Sequence, residues 1–358
     1  MITTVVALGF LSLAPAEAAA QSNISPDRPA VERRLSDAVS ASPDSFEAHR
    51  ALATFLITQG KLEAAIPHLQ RARTIDPNDY ANGYDLVLAL IETGKLDAAR
   101  SEVRRMLARK ETGELHNLSG NIEERAGRLA DAAPEYERAA HLDPTEAHLF
   151  DWGNNLVQLS AFEAATQVFA AAISRHPQSA RLHVGLGIAD YAQGKYEDAV
   201  KSFCRAADLD PSDPRAYQFL GEMYGVAPSL GGEVIQRLAR FVKAQPKNAL
   251  AHYQYAMAVW KGQPDGAPPA DPGQVETLLK RAVALDPKLA KALLELGVLL
   301  SDQERYAEAV QELRRAIAIE PDLAQAHYRL ARAYQQTGQP ALAAEELKKF
   351  SQLKAGSR

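Results

Sequence analysis

Residues 180–211 read ARLHVGLGIADYAQGKYEDAVKSFCRAADLDP. Leu186 and Gly187 sit together, Gly194 follows, Ala199 stands four residues before Phe203, and Pro211 closes the stretch. Apolar residues four apart share one helix face, glycine interrupts, and proline after aspartate stops the next helix. The stretch therefore predicts two antiparallel helices. Its closing proline is one of a series: Pro43, Pro77, Pro144, Pro177, Pro211, Pro246, Pro287 and Pro321, at intervals of 34, 67, 33, 34, 35, 41 and 34. The interval of 67 is two units, the middle one ending at Glu111 instead of proline. A fixed period of this size predicts a stacked repeat array, an architecture that presents a binding surface more often than a catalytic centre.

The other copies repeat the pattern. Trp152-Gly153 goes with Ala165 and Phe169, Leu220-Gly221 with Tyr224, and Leu296-Gly297 with Ala309 and Leu313. Leu52-Ala53 with Ala65 and Leu69, and Leu330-Ala331 with Ala343 and Leu347, do the same. These residues resemble the tetratricopeptide repeat, with its large-residue-plus-Leu-Gly helix, its Ala-x3-aromatic helix and its closing proline. The resemblance runs over residues 44–355 as nine copies. It implies an all-α solenoid, a right-handed superhelix of antiparallel helix pairs.

The residue choices have physical reasons. Gly153, Gly187, Gly221 and Gly297 are expected to let paired helix backbones approach closely. Gly60, Gly94, Gly127, Gly194 and Gly338 are expected in the left-handed conformation that ends the first helix. Asp79 and Asp213 are expected to cap the helices that follow them. Residues 30–43 read as a lone helix capping the stack, with Val31, Leu35 and Ala38 on one face. Repeats six and seven, within 214–287, are irregular: GVAPSLGGE at 225–233 and GQPDGAPPADPGQ at 262–274 are turn-rich. Residues 356–358 are a tail.

A globular chain of 358 residues would be expected to divide into two or three domains, whereas in a solenoid each repeat needs only its neighbours. The formal charge of −5 offers no basic footprint for nucleic acid. The first twenty residues, MITTVVALGFLSLAPAEAAA, hold an apolar run from Val5 to Leu13 and a small-residue site before Gln21. They resemble a secretory signal, without its basic start, and imply an exported, periplasmic or secreted protein; a cytoplasmic location follows if the segment is not a signal. Residues 21–29 read as a linker. The apolar run is too short for a membrane span, which needs about 20 apolar residues. Cys204 is the single cysteine and reads as a small buried hydrophobe.

No phosphate-binding glycine loop, dinucleotide fingerprint, zinc-protease helix or nucleophile elbow occurs, so neither an enzyme nor a cofactor is expected. His49, His116, His183, His252 and His327 occupy one repeat slot, too far apart for a shared metal, and read as periodic packing positions.

The tetratricopeptide resemblance implies that first helices line a concave face. Positions flanking the Leu-Gly pair would then be Arg50, Thr54, Tyr84, Asn117, Asn121, Phe150 and Asn154 in the early repeats. In the later ones they would be Val184, Ile188, Tyr191, Gln218, Glu222, Tyr253, Met257, Trp260, Tyr328 and Arg332. The carboxylate clamp by which some such domains hold a chaperone's C-terminus does not match, since Arg50 and Thr54 stand where a basic residue and Asn would be. Asn117, Asn121 and Asn154 resemble the asparagine ladder of the glycosyltransferase superhelix, which implies a grip on a peptide backbone. Tyr191, Tyr253, Met257 and Trp260 form an aromatic-rich group of the kind that anchors partners. The expected function is protein or peptide binding, as an adaptor or assembly scaffold. Two other classes fit the same residues: a regulatory or substrate-recruiting subunit of a separate enzyme, and a structural envelope component self-associating through its C-terminal repeat.

Overall fold

The computed structural model describes residues 28–264 and 266–356, and every regular element among them is helical. The segment read as an export signal lies outside the described residues. The chain divides into two compact units, residues 1–177 and 178–358. The first holds a single helix, α1 (Arg28–Ala41), and then four pairs: α2 (Phe46–Thr58) with α3 (Leu62–Ile75), α4 (Tyr80–Glu92) with α5 (Leu96–Leu107), α6 (Gly113–Arg125) with α7 (Leu129–Leu142), and α8 (Glu146–Gln158) with α9 (Phe162–Arg175). The second holds α10 (Ala180–Ala192) with α11 (Tyr196–Leu209), α12 (Pro214–Glu222) with α13 (Gly231–Ala244), and α14 (Ala249–Lys261) with α15 (Pro272–Leu285). It ends with α16 (Ala290–Asp302) paired to α17 (Tyr306–Ile319) and α18 (Ala324–Gln336) paired to α19 (Pro340–Gly356).

Short-range chemistry sets these bounds. The first helices from α2 to α14 each start on a Ser, Thr, Asp or Asn whose side chain accepts a hydrogen bond from an amide two or three residues on; Ser45, Asp79, Thr112 and Ser179 are examples. The second helices mostly lack such a cap. They follow a tight turn whose amide bonds back to the fifth residue before it, as Lys61 N does to Leu56 O at 2.9 Å and Lys195 N to Asp190 O at 2.9 Å. Gly60, Gly94, Gly127, Gly194 and Gly338 hold positive φ in this turn, between 70° and 76°.

Two turns use other residues in the same slot: Ser160 at φ 60° and Glu304 at φ 62°. A left-handed conformation costs an L-residue roughly 1–2 kcal/mol, while glycine's extra unfolded entropy takes back about 0.5–1. Ser160→Gly and Glu304→Gly are each expected to stabilise their unit by about 0.5–1 kcal/mol in denaturant unfolding. A midpoint that does not rise in either variant would show that the turn carries no strain.

The helix-face glycines act differently from the expectation. A methyl built on Gly187 would lie 2.7 Å from the Phe203 ring, and one on Gly153 would lie 2.6 Å from Phe169. The glycine therefore admits the bulky side chain of its partner helix rather than bringing two backbones together. Gly297 does so for Leu313 and Gly120 for Tyr136. Gly221 departs again: it makes room for Gln254 of the following pair. In α1 the face turned to the core carries Leu35 and Val39, and Ala38 is exposed.

The repeating histidines have a defined task. The Nε2–H of His49, His252 and His327 donates to the carbonyl of Pro43, Pro246 and Pro321, at 3.0, 3.1 and 2.8 Å. This ties the opening turn of a first helix to the linker before it. His116 belongs to the repeat without a proline, and there the Glu111 carboxylate takes the carbonyl's place at 3.0 Å. Arg138, with two bonds to Glu111, and then His116 hold that carboxyl down at about 2. Cys204 is buried, and burial pushes its thiol up to about 11.

Candidate functional site

In the first unit, consecutive first helices are joined by polar pairs spaced one repeat apart. Arg50 Nη1 meets Asp85 Oδ2 at 2.6 Å, Arg125 meets Glu92 at 2.7 Å, and Gln158 Nε2 donates to Glu124 Oε1 at 2.6 Å. Asn117 belongs to this ladder: its Nδ2 donates to Asp151 Oδ2 at 3.0 Å. Its Oδ1 is buried with no partner among the described residues. Asn121 bonds the Tyr136 hydroxyl, which itself donates to Glu124 at 2.7 Å. Burial, and next the Glu124 charge, raise the Tyr136 phenol far above its ordinary range. Asn154 is half-buried. The three asparagines are thus not equivalent. Two are knitted into the fold, and Asn154 alone has no hydrogen-bond partner among the described residues. Glu124 and Gln158, which complete the network, were not singled out by sequence, because neither stands beside a Leu-Gly pair.

In the second unit, the aromatic set is brought together around two carboxylates. Tyr191, on α10, is half-buried, with its ring 5.3 Å from that of Tyr196. Burial first, then Tyr196 and Glu222, raise its phenol. Tyr253, on α14, is half-buried against the core of this unit; burial first, then Glu295, Tyr224 and Glu222, raise its phenol well above the ordinary value. Glu222 is exposed, and it lies close enough to both tyrosines to perturb each. Glu295 is buried and accepts from Lys261 Nζ at 2.5 Å. The same ammonium lies 4.6 Å from the centre of the Trp260 ring, a cation–π contact that holds the half-buried indole.

Met257 is a correction. The expectation placed it with Tyr253 and Trp260, but it is 0% exposed and cannot touch a ligand. Helix α14 packs against α12, α13, α15 and the rest of the core, and position 257 falls on the side turned inward. Val184 and Ile188 are buried for the same reason.

Tyr328 and Arg332 lie apart from this cluster, on α18. Arg332 is exposed, its Nη1 donates to the Tyr328 hydroxyl at 3.4 Å, and Tyr328 packs against Phe350 with ring centres 5.3 Å apart. Both line a cavity of about 290 Å³ together with Asp302, Tyr306 and Arg329. Among the described residues, no group of three His, Cys, Asp or Glu side chains is arranged to hold a metal, and no helix is long and apolar enough to cross a membrane.

Tetratricopeptide repeat models match residues 30–80 and 150–214, 56–122, 299–338 and 324–356, together more than half of the chain. Among solved structures, the C-terminal part of a TPR repeat-containing protein from Cytophaga hutchinsonii is 15% identical, with a TM-score of 0.54 over 68% of this chain and 98% of that one. That likeness establishes the fold. YrrB, described as a TPR protein with an unusual peptide-binding site, is 19% identical over 52% of this chain and 96% of its own, with a TM-score of 0.43. Yeast Tom70 is 15% identical over 91% and 82%, with a TM-score of 0.43. No curated protein matches the chain.

Proposed function

We propose that this chain, which belongs to the tetratricopeptide repeat family, binds a protein or peptide on the first helices of its second unit and acts as an adaptor or assembly scaffold. The observation that carries this reading is the placing of Tyr191 and Tyr253 about Glu222, with Trp260 on the same helix as Tyr253 and packed against the same core. Half-buried aromatics held in place by packing lose little freedom on binding, and so anchor a partner efficiently. Glu222, exposed between two phenols, adds an acceptor for a backbone amide or a basic side chain. Asn154 offers a polar contact of its own in the first unit. A photo-activatable phenylalanine at position 191 is expected to cross-link the partner from native extract, whereas the same group at Arg281, exposed on α15, is not. Equal yields from the two positions would reject the site.

We also propose, from the signal-like segment at residues 1–20, that the mature protein starts at Gln21 and lies outside the cytoplasm. The intact mass of the native protein is expected to lack residues 1–20. A full-length chain beginning at Met1 would refute export.

A further inference from the structure

We propose that His49 and His68, which face each other across the first helix pair, form a two-histidine site for a divalent transition-metal ion of the zinc type. His49 stands on α2 and His68 on α3, with their Nδ1 atoms 3.1 Å apart and their ring centres 5.3 Å apart. Two imidazole nitrogens on one tetrahedral zinc, each bonded at about 2.0–2.1 Å, stand about 3.3 Å from each other. The pair therefore needs to open by only about 0.2 Å to admit the ion. His68 lies outside the histidine slot that recurs along the chain, so the distance between repeats does not bear on this pair.

The surroundings prepare His49 as a ligand. Its Nε2–H donates to the Pro43 carbonyl at 3.0 Å, which leaves the lone pair on Nδ1, aimed at His68. A backbone carbonyl on the far nitrogen is the usual support of a metal-bound histidine. His68 is half-buried; burial first, and then His49, hold its imidazole below the ordinary value and favour the neutral form that binds metal. The pair also breaks a pattern. Nineteen residues after the slot histidine, His116 meets Glu135 at 2.7 Å and His327 meets Glu346. Those carboxylates accept a ring proton, whereas the imidazole at position 68 brings a second lone pair. Without an ion, one Nδ1 must carry a proton for the two rings to touch; with an ion, both lone pairs point at it. Arg71, which bonds the same Pro43 carbonyl, is paired with Asp44 and adds no net charge beside the site. No third His, Cys, Asp or Glu among the described residues converges there, so water completes the shell. Imidazole ligands suit zinc, copper and nickel, while magnesium and calcium take oxygen.

The test uses the full chain, stripped with EDTA, and zinc chloride as the probe, read by calorimetry and by the ring-nitrogen chemical shifts of the histidines. Zinc is expected to bind saturably at the pair, and magnesium is not. In the metal-free chain one of the two Nδ1 atoms carries the proton that the rings share; zinc is expected to convert both rings to the Nε2–H form. His68→Gln keeps an N–H donor for His49 and removes the second ligand. It is expected to weaken zinc binding about tenfold or more, at least the loss caused by removing an outer-shell partner. Its unfolding midpoint in EDTA should match the parent's. The tautomer change is read on the parent itself, so it decides the matter even if His68→Gln unfolds early. His141→Gln, at an exposed histidine on α7, should leave the pair's affinity unchanged. Undiminished zinc binding in a folded His68→Gln, no saturable binding to the parent, equal binding of magnesium, or zinc binding that leaves the Nδ1 proton in place would each overturn the proposal.

Discussion

Glu102→Ala is expected to destabilise the first unit by about 3–5 kcal/mol, the range for stripping the partner from a buried charge. The carboxylate is 5% exposed and accepts the only hydrogen bond that Arg73, itself 7% exposed, makes among the described residues. Removal leaves the Arg73 guanidinium buried and unpaired, and the freed Arg105 gains nothing in return. Glu102→Gln keeps the volume and one acceptor and is expected to cost less. The double change Arg73→Met with Glu102→Leu removes both charges and is expected to recover most of the loss, because the desolvation cost disappears with the pair. Because repeats couple to their neighbours, the loss should appear first as faster hydrogen exchange in α3 and α5. If the single and double variants unfold at the same denaturant concentration, the pair is not acting as a buried ion pair.

Trp260→Ala is expected to weaken partner binding by about 2 kcal/mol or more, as truncation of an aromatic anchor does. The indole is half-buried against the core of the second unit and held by Lys261 at 4.6 Å, so it is presented with little freedom left to lose. Part of its area supports α14 and α15, so a modest fall in stability accompanies the loss of binding. Binding and thermal unfolding measured on the same variant separate the two roles. A variant that binds like the parent while its unfolding temperature drops sharply would make Trp260 a core residue, and the binding surface would lie elsewhere on the first helices.

The period of the prolines, the Ala-x3-aromatic pairs and the glycine turns were legible from the chain alone, because each depends on residues within one helix pair. A helix cap such as Asp79, a positive-φ turn such as Gly94 and a proline stop act over two to six residues, so the local sequence contains all of their causes. That Glu111 breaks the proline series was legible too, whereas its role as the acceptor for His116 came from the structure.

The individual site residues were a different matter. Spacing put Met257 on the same stripe as Tyr253 and Trp260, yet Met257 is wholly buried, because neighbouring helices cover that side of α14. Asn117 reads as one of three asparagines facing a peptide backbone, yet its donor is taken by Asp151, one repeat away. Arg73 and Glu102 are separated by 29 positions and carry no motif, yet they form the most buried arginine–carboxylate pair among the described residues. The sequence by itself determined the helix pairs, their ends and their repeat, since these follow from contacts a few residues long. Only the tertiary structure decided which side chains remain free to meet a partner, since that depends on repeat-to-repeat packing about 34 residues away, where no local pattern records which face is covered.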